Sequence, residues 1–352
     1  MDKMKAIVIH KPGDVRIVEY DKPVPGPRDV VSRVVCSGIC GTDLGIYSGK
    51  ISFAKDGRVR YPARIGHEWS GVVDKVGSDV KGFKPGDRVV SDTSVSCGKC
   101  ENCISGNFQK CVYGKPLGTV NAYEYGSFAE YIMIPDRHMH RLDDRISYEQ
   151  GALIEPATIA LSGIQSAGVN TGDTVLVTGT GAIGLAAVAL AKTHGAKKVF
   201  IAGRRNNKLE IGLHLGADAS INTIELNLAD AVTKETNGEC VDIIIETTGS
   251  CDIFDKSIDC LRTGGVVLLL GFYEDKFVPD FDLDRIVMRA INVKGPATPT
   301  SVRSVMDMMA KGKIDLSRLV THIFPLEKGV EAFNNAYDKS GEKIKILIRM
   351  TD

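Results

Sequence analysis

The sequence carries no net charge: 44 Lys and Arg residues balance 44 Asp and Glu among 352 residues. That balance removes the usual electrostatic case for binding nucleic acid or an anionic membrane. No apolar run approaches the ~18 residues that would suggest a membrane span, and the mean hydropathy is −0.03. Behind Met1-Asp2-Lys3-Met4-Lys5 lies only the short run Ala6-Ile7-Val8-Ile9, which does not read as a secretory signal. A cytoplasmic location is therefore the expectation. There is no internal repeat and no low-complexity segment. At about 150 residues per domain, the length predicts two domains. Hydrophobic residues make up 43%, enough for a core without a disulfide or metal staple. What the chain does have is 37 glycines and 9 cysteines. The odd cysteine count, in a reducing compartment, points to metal or free thiols rather than disulfides.

Residues 1–150 hold short apolar runs cut by turn signals such as Lys11-Pro12-Gly13-Asp14 and Lys84-Pro85-Gly86-Asp87. This spacing predicts a β-rich domain. From Asp173 onward the pattern changes. Strands are predicted at 174–177, 198–202, 241–246 and 266–270, with helices at 182–194, 206–214 and 252–261 between them. Nearly all-apolar strands alternating with helices predict a parallel sheet covered on both faces. A last stretch, 299–352, begins with a helix over 301–311 and ends in a strand near 344–348. The fold class is α/β.

Thr178-Gly179-Thr180-Gly181-Ala182-Ile183-Gly184 follows the strand at 174–177 directly. This is G-x-G-x-x-G in a strand–turn–helix context. The first glycine permits the turn, the second admits a pyrophosphate, and the third packs helix on strand. The helix start offers free N–H groups to the diphosphate. An isolated match of this kind can be a plain turn, but here further strand–helix units follow. A dinucleotide site for NAD carries a carboxylate ~20 residues onward, on the ribose. Here that position is Gly203, followed by Arg204 and Arg205. Two guanidiniums suit a 2′-phosphate, which predicts NADP(H), with NAD(H) remaining open if the arginines are merely solvated. Gly271-Phe272, at the carboxyl end of the strand 266–270, lies where the nicotinamide is expected.

Cys97, Cys100, Cys103 and Cys111 place four thiols in 15 residues. Such a loop matches a closed tetrahedral zinc site with no open coordination position. The alternatives are a disulfide pair, disfavoured by the compartment, and an iron–sulfur cluster, whose usual spacing differs. A catalytic zinc needs about three protein ligands and an open position. Candidates lie in Cys36-Ser37-Gly38-Ile39-Cys40-Gly41-Thr42-Asp43 and in Gly66-His67-Glu68. Taken singly, Cys40 and His67 could be ordinary buried residues.

Taken together with Gly86-Asp87-Arg88-Val89, the four-cysteine lobe, Glu155-Pro156 and the glycine loop, these motifs resemble the zinc-dependent medium-chain alcohol dehydrogenase family. The resemblance spans essentially the whole chain and is nearest to the polyol branch of sorbitol, butanediol and threonine dehydrogenases. It implies a GroES-like β-rich catalytic domain at 1–150, a Rossmann domain at 151–298, and a return to the first domain at 299–352. It implies two zinc ions per chain. Cys40, His67 and Glu68 would hold the catalytic one, with Glu155 as fourth ligand or linked through water. It implies hydride transfer between a secondary alcohol of a polyol, sugar-like or cyclitol substrate and NADP(H). The runner-up is an NAD-dependent diol or amino-alcohol dehydrogenase. From another class, a non-catalytic nucleotide-binding protein of the same fold would be expected to lack the ligand set, which is present. A homodimer or homotetramer is implied, because the family's sheet can extend between subunits.

Thr42 is implied as the hydroxyl that passes the proton; otherwise it is a turn-capping hydroxyl. One departure stands out. Many relatives carry His two residues after the motif's Asp, where this chain has Gly45. Tyr47 and Tyr123 are conceivable substitutes, though each also fits as a packed aromatic. His138-Met139-His140 could share one strand face as a ligand pair, but it falls in a region without family ligands and is expected on a surface strand. Cys36, Cys240, Cys251 and Cys260 have no ligand spacing and read as small core residues.

Overall fold

A computed structural model describes residues 2–119, 126–274, 281–296, 302–338 and 341–351. Tyr123 lies outside them. The chain divides into two compact units, residues 1–155 with 320–352, and residues 156–319.

The first unit is built on a seven-stranded sheet. Along it run Val320–Pro325, Lys345–Arg349, Asp29–Gly38, Glu68–Val76, Arg88–Ser91 and Met139–Arg141, while Tyr131–Pro135 also pairs with Asp29–Gly38. Val30, Val34, Trp69, Phe128, Ile132 and Phe333 are buried together beneath it. The last strand of the chain is thus inserted beside one of the first. Gly38 is opposite Glu68 on one side and Leu347 on the other. A Cβ at Gly38 would meet Glu68 Oε2. A bare backbone here leaves room for side chains to reach across the strand.

The second unit holds six parallel strands in the order Ala219–Asn222, Lys198–Gly203, Thr174–Thr178, Val241–Glu246, Leu261–Leu269 and Asn292–Lys294. The order reverses at Thr174–Thr178, which makes that strand's carboxyl end the switch point where ligands bind in open α/β sheets. Helices Ala182–Thr193, Asn206–His214, Leu228–Glu235 and Cys251–Ile258 lie between strands. Leu176, Ile244 and Val267 are fully buried, as the apolar runs require.

Several elements differ from expectation. The helix at Cys251–Ile258 ends early, and the next strand begins at Leu261 rather than 266. Leu261 pairs with Val241, and the register then shifts before Val266 meets Ile243. Gly264, at a φ of 74°, lies within that shift. The helix Ile154–Ala167 and the pair Ala219–Asn222 and Leu228–Glu235 were not anticipated. The helix Val302–Ala310, expected with the returning segment, falls in the second unit, and the return begins at Val320. Among the described residues, no helix is long and apolar enough to cross a membrane.

Candidate active site

In the first unit, Cys40 precedes the helix Gly41–Ser48 as its N-cap. The Asp43 carboxylate reaches back to accept the Cys40 N–H at 2.8 Å. This closes the first turn and fixes the thiol beside His67. Cys40, His67 and Glu68 each offer a ligand atom, and these atoms lie within 4.8 Å of one another. Behind them, His67 Nδ1 faces Asp43 Oδ1 at 3.7 Å. Both atoms are buried and neither has a hydrogen-bond partner. A carboxylate behind an imidazole is the arrangement that orients a metal-ligating histidine.

Electrostatics point the same way. Burial opposes a charge on His67, but Asp43 and Cys40 outweigh it and raise its pKa well above the usual value. Burial lifts Asp43 to about 6, against the pull of His67 and the Cys40 N–H. A bound cation would take the place of the imidazole proton, since histidine ligates only when neutral. The donor set of thiol, imidazole and carboxylate suits zinc.

Glu68 has another commitment. Lys345, only 4% exposed, donates to Glu68 Oε1 at 2.7 Å, to Oε2 at 2.5 Å and to the Ile39 carbonyl at 3.1 Å. Burial would lower the Lys345 pKa, but Glu68 outweighs it and raises it. Sequence reasoning missed Lys345. Its signal is a cation inside the apolar run Ile344-Lys345-Ile346-Leu347-Ile348. Glu155 sits in the first turn of Ile154–Ala167 and outside the tight group. Desolvation lifts its carboxyl to about 7, with His67 pulling against this and Glu68 adding to it. Thr42, partly exposed, lies in the first turn of the Cys40 helix. Tyr47 donates to Asn334 Oδ1 at 3.0 Å and packs edge-on against Phe333 and Tyr337, so its hydroxyl is engaged within the core. At Gly45, a Cβ would lie 3.0 Å from Ile51 Cβ. The pocket for a larger residue there is filled.

The four-cysteine lobe also closes. Sγ atoms of Cys97, Cys100, Cys103 and Cys111 all lie within 4.8 Å of one another. Cys100 is 3.5 Å from Cys103 and 3.8 Å from Cys111, and Cys97 is 3.9 Å from Cys103. Tetrahedral zinc with bonds of about 2.3 Å requires sulfurs about 3.8 Å apart. No pair forms a disulfide. Backbone N–H donors, that of Lys99 first, pull the Cys97 thiol down to about 6. A turn that donates to sulfur favours thiolates, as metal ligation needs.

His138 and His140 are not a surface pair. Asp92 meets His138 Nδ1 at 3.1 Å and His140 Nε2 at 2.8 Å. The Ser96 N–H donates to His138 Nε2 at 2.9 Å. That bond makes Nε2 an acceptor, so Nδ1 carries the proton toward Asp92. The buried His138 ring also meets Phe108 edge-on, so it braces the cysteine loop from both ends. Of the other cysteines, Cys36 and Cys260 are buried, while Cys240 and Cys251 are partly exposed.

In the second unit, Gly179 has a φ of 105°, a conformation glycine alone adopts readily. Gly181 is the N-cap of Ala182–Thr193, and a Cβ there would meet nothing within 4 Å. At Gly184 a Cβ would collide with the Gly179 carbonyl. Turn, open face and close packing are the three roles expected of this motif. A cavity of about 300 Å³ adjoins the loop, lined by Gly179, Thr180, Gly203, Arg204, Thr223 and Thr248 among others. Arg204 lines it; Arg205, which is not among the lining residues, stands at the N-cap position of the helix Asn206–His214 without a side-chain capping bond. Ala182 and Ile183 open the helix behind the loop, and Gly271 packs against the Gly249 backbone.

The family model for an alcohol dehydrogenase GroES-like domain matches residues 26–144, and that for a zinc-binding dehydrogenase matches residues 182–311. A sorbitol dehydrogenase of Halalkalibacterium halodurans is 32% identical over 356 residues, covering 99% of this chain and 100% of the relative. An L-threonine 3-dehydrogenase of Pyrococcus horikoshii is 32% identical over 355 residues, covering 99% of each. A solved structure described as a zinc-binding dehydrogenase, from Sinorhizobium meliloti 1021 and bound to NADP, matches with a TM-score of 0.89 at 28% identity. The match covers 99% of this chain and 100% of that one. The chain belongs to the zinc-dependent medium-chain alcohol dehydrogenase family, with its polyol dehydrogenases, and it is an oxidoreductase.

Proposed function

We propose that the protein oxidises a secondary alcohol of a polyol, sugar-like or cyclitol substrate with NADP+, and reduces the corresponding ketone with NADPH. The observation that carries this is the group Cys40, His67 and Glu68, buried or nearly so, with ligand atoms within 4.8 Å, in a chain that also carries the glycine loop. Cys40, His67 and Glu68 would hold the catalytic zinc, with Glu155 beside it. Cys97, Cys100, Cys103 and Cys111 would hold a second, structural zinc.

When bound, zinc lowers the pKa of the substrate alcohol and the nicotinamide ring takes the hydride. The alcohol loses a hydride from carbon and a proton from oxygen, and leaves as a ketone. Asp43 holds the imidazole of His67 in orientation. Lys345 neutralises Glu68 and keeps its carboxylate from swinging freely. The Thr42 hydroxyl is the proposed first acceptor of the substrate proton. Gly179, Gly181 and Gly184 shape the diphosphate site, with the amides of Ala182 and Ile183 facing it at the helix start. Gly203 leaves the ribose edge without a carboxylate, and Arg204 offers a fork to a 2′-phosphate.

A second reading, NAD use, is favoured by Asp252, a carboxylate that lines the same cavity. Asp252 pairs with Lys256 at 2.9 Å, which reduces its availability to a ribose hydroxyl. The strand Asn292–Lys294 is an exposed sheet edge, which fits the expected homodimer or homotetramer.

The test is a screen of polyols, diols, sugars and cyclitols against both cofactors, with Arg204→Ala beside the parent. The expected result is a higher kcat/KM with NADP+, lost selectively in the variant. A clear NAD+ preference unchanged by Arg204→Ala overturns the cofactor assignment. Reduction of neither cofactor by any polyol overturns the substrate assignment.

A further inference from the structure

Glu246 ends the strand Val241–Glu246, next to the switch-point strand, and it is fully buried. A carboxylate at that depth requires its lone pairs to be satisfied. Four donors converge on it. Oε1 accepts the Thr248 N–H at 2.6 Å and also the Thr248 hydroxyl. Oε2 accepts the Gly249 N–H at 3.1 Å and the Tyr273 hydroxyl at 2.8 Å. The direction of the Thr248 hydroxyl is set by its other partner. The Ser250 N–H donates to Thr248 Oγ1 at 3.0 Å, so the hydroxyl proton is free to point at Glu246. Burial first, and then the Glu246 charge and hydrogen bond, hold the Tyr273 hydroxyl protonated, well above the usual phenol range.

These donors come from two different loops. Thr248, Gly249 and Ser250 follow one strand; Tyr273 follows the neighbouring strand, Leu261–Leu269. The Glu246 carbonyl adds two more ties, accepting the N–H of Leu270 at 2.7 Å and of Gly271 at 3.2 Å. The loops themselves nearly touch. A Cβ on Gly249 would collide with the Phe272 carbonyl, and one on Gly271 with the Gly249 nitrogen. Thr248 and Ser250 also line the cavity beside the glycine loop.

We propose that Glu246 is a positioning residue for the nicotinamide cofactor: its carboxylate clamps the loop 247–250, which supplies Thr248 and Ser250 to the cavity, against the loop 270–273 at the carboxyl edge of the sheet. The proposal rests on the reading of Gly179–Gly184 as the diphosphate site. A carboxylate is required rather than an amide. Each oxygen faces a backbone N–H, which can only donate, so the amide nitrogen of Gln would face a donor in either orientation.

The experiment is titration of NADPH, and separately NADH, into the parent, Glu246→Gln and Tyr273→Phe, together with steady-state kinetics. The parent is titrated first; if it binds neither nucleotide, the cofactor reading fails and takes the proposal with it. Given binding, Glu246→Gln is expected to raise the cofactor Kd and KM about tenfold or more, the consequence of an unpaired buried donor. kcat at saturating cofactor and KM for the alcohol should stay within about twofold, a split that general destabilisation would not give. Tyr273→Phe removes one donor of four and should raise Kd by a smaller factor. It decides the question if Glu246→Gln does not fold. Parent-like cofactor Kd in Glu246→Gln, or in Tyr273→Phe where that variant must stand alone, overturns the proposal.

Discussion

Lys345→Met tests whether the ion pair that Lys345 makes with the metal ligand Glu68 is truly dry. The substitution keeps an apolar stem of similar length and removes the ammonium held by Glu68 and the Ile39 carbonyl. With no zinc at the Cys40 site, Glu68, 1% exposed, would then be a buried charge without its Lys345 partner. Coulomb's law at an effective dielectric of about 20 gives about 4 kcal/mol for charges ~4 Å apart. Breaking buried pairs typically costs roughly 3–5 kcal/mol, much of it the desolvation of the charge left behind. The two routes agree, so the expected loss of stability is about 4 kcal/mol. The assay is available within the chain. Its one tryptophan, Trp69, is the neighbour of Glu68, is buried, and donates to Ser91 Oγ at 2.9 Å. Urea denaturation followed by Trp69 fluorescence, with the labile zinc removed by chelation from parent and variants alike, therefore reports the first unit. The double variant Lys345→Met with Glu68→Gln removes both charges and should recover roughly half or more of the loss. A loss below about 1 kcal/mol for the single variant would mean the pair behaves as a solvated one. A double variant no more stable than the single would refute the charge argument and leave only lost packing.

Three further outcomes are expected. Gly184→Val places a side chain against the Gly179 carbonyl, so nucleotide affinity should fall about tenfold or more while zinc content is unchanged, as read by titration and metal analysis. Gly45→His must displace Ile51 and should cost about 1–3 kcal/mol in the Trp69 assay; Ile51→Ala in the same chain should recover part of it. Burial would raise Asp92, but bonds to His138 and His140 outweigh it and hold the carboxyl at about 2. That value lies below the unfolded ~3.9, so its contribution is present above about pH 4 and disappears as pH falls toward the folded value. Asp92→Asn should therefore be less stable than the parent near neutrality, with the gap narrowing below about pH 4; a constant gap would show that the charge is not involved.

Much of this was legible in the chain because it is local. The glycine loop, the four cysteines and the strands at 174–178, 198–203 and 241–246 each announce themselves within a few residues, where spacing maps directly onto geometry. Lys345 was not legible. Its partner is Glu68, 277 residues away, and only the insertion of the last strand beside Asp29–Gly38 brings them together. Glu246 hid for a related reason: a carboxylate closing an apolar strand looks like a strand end until the loops fold over it. The pair His138 and His140 misled because only His140 lies in the strand Met139–Arg141; His138 ends the turn Asp136–His138, and Asp92, distant in sequence, meets both rings. Arg205 shows the limit of adjacent residues: Arg204 lines the cavity, while Arg205 stands at the N-cap position of the helix Asn206–His214.

The most direct test is the zinc dependence of cofactor reduction. NADP+ reduction by the best polyol from the screen is followed before chelation, after removal of the labile metal, and after zinc is returned. The account predicts activity lost on chelation and restored by zinc, with one zinc per chain retained throughout in the cysteine lobe. Undiminished reduction after the metal has left the Cys40 site would contradict it.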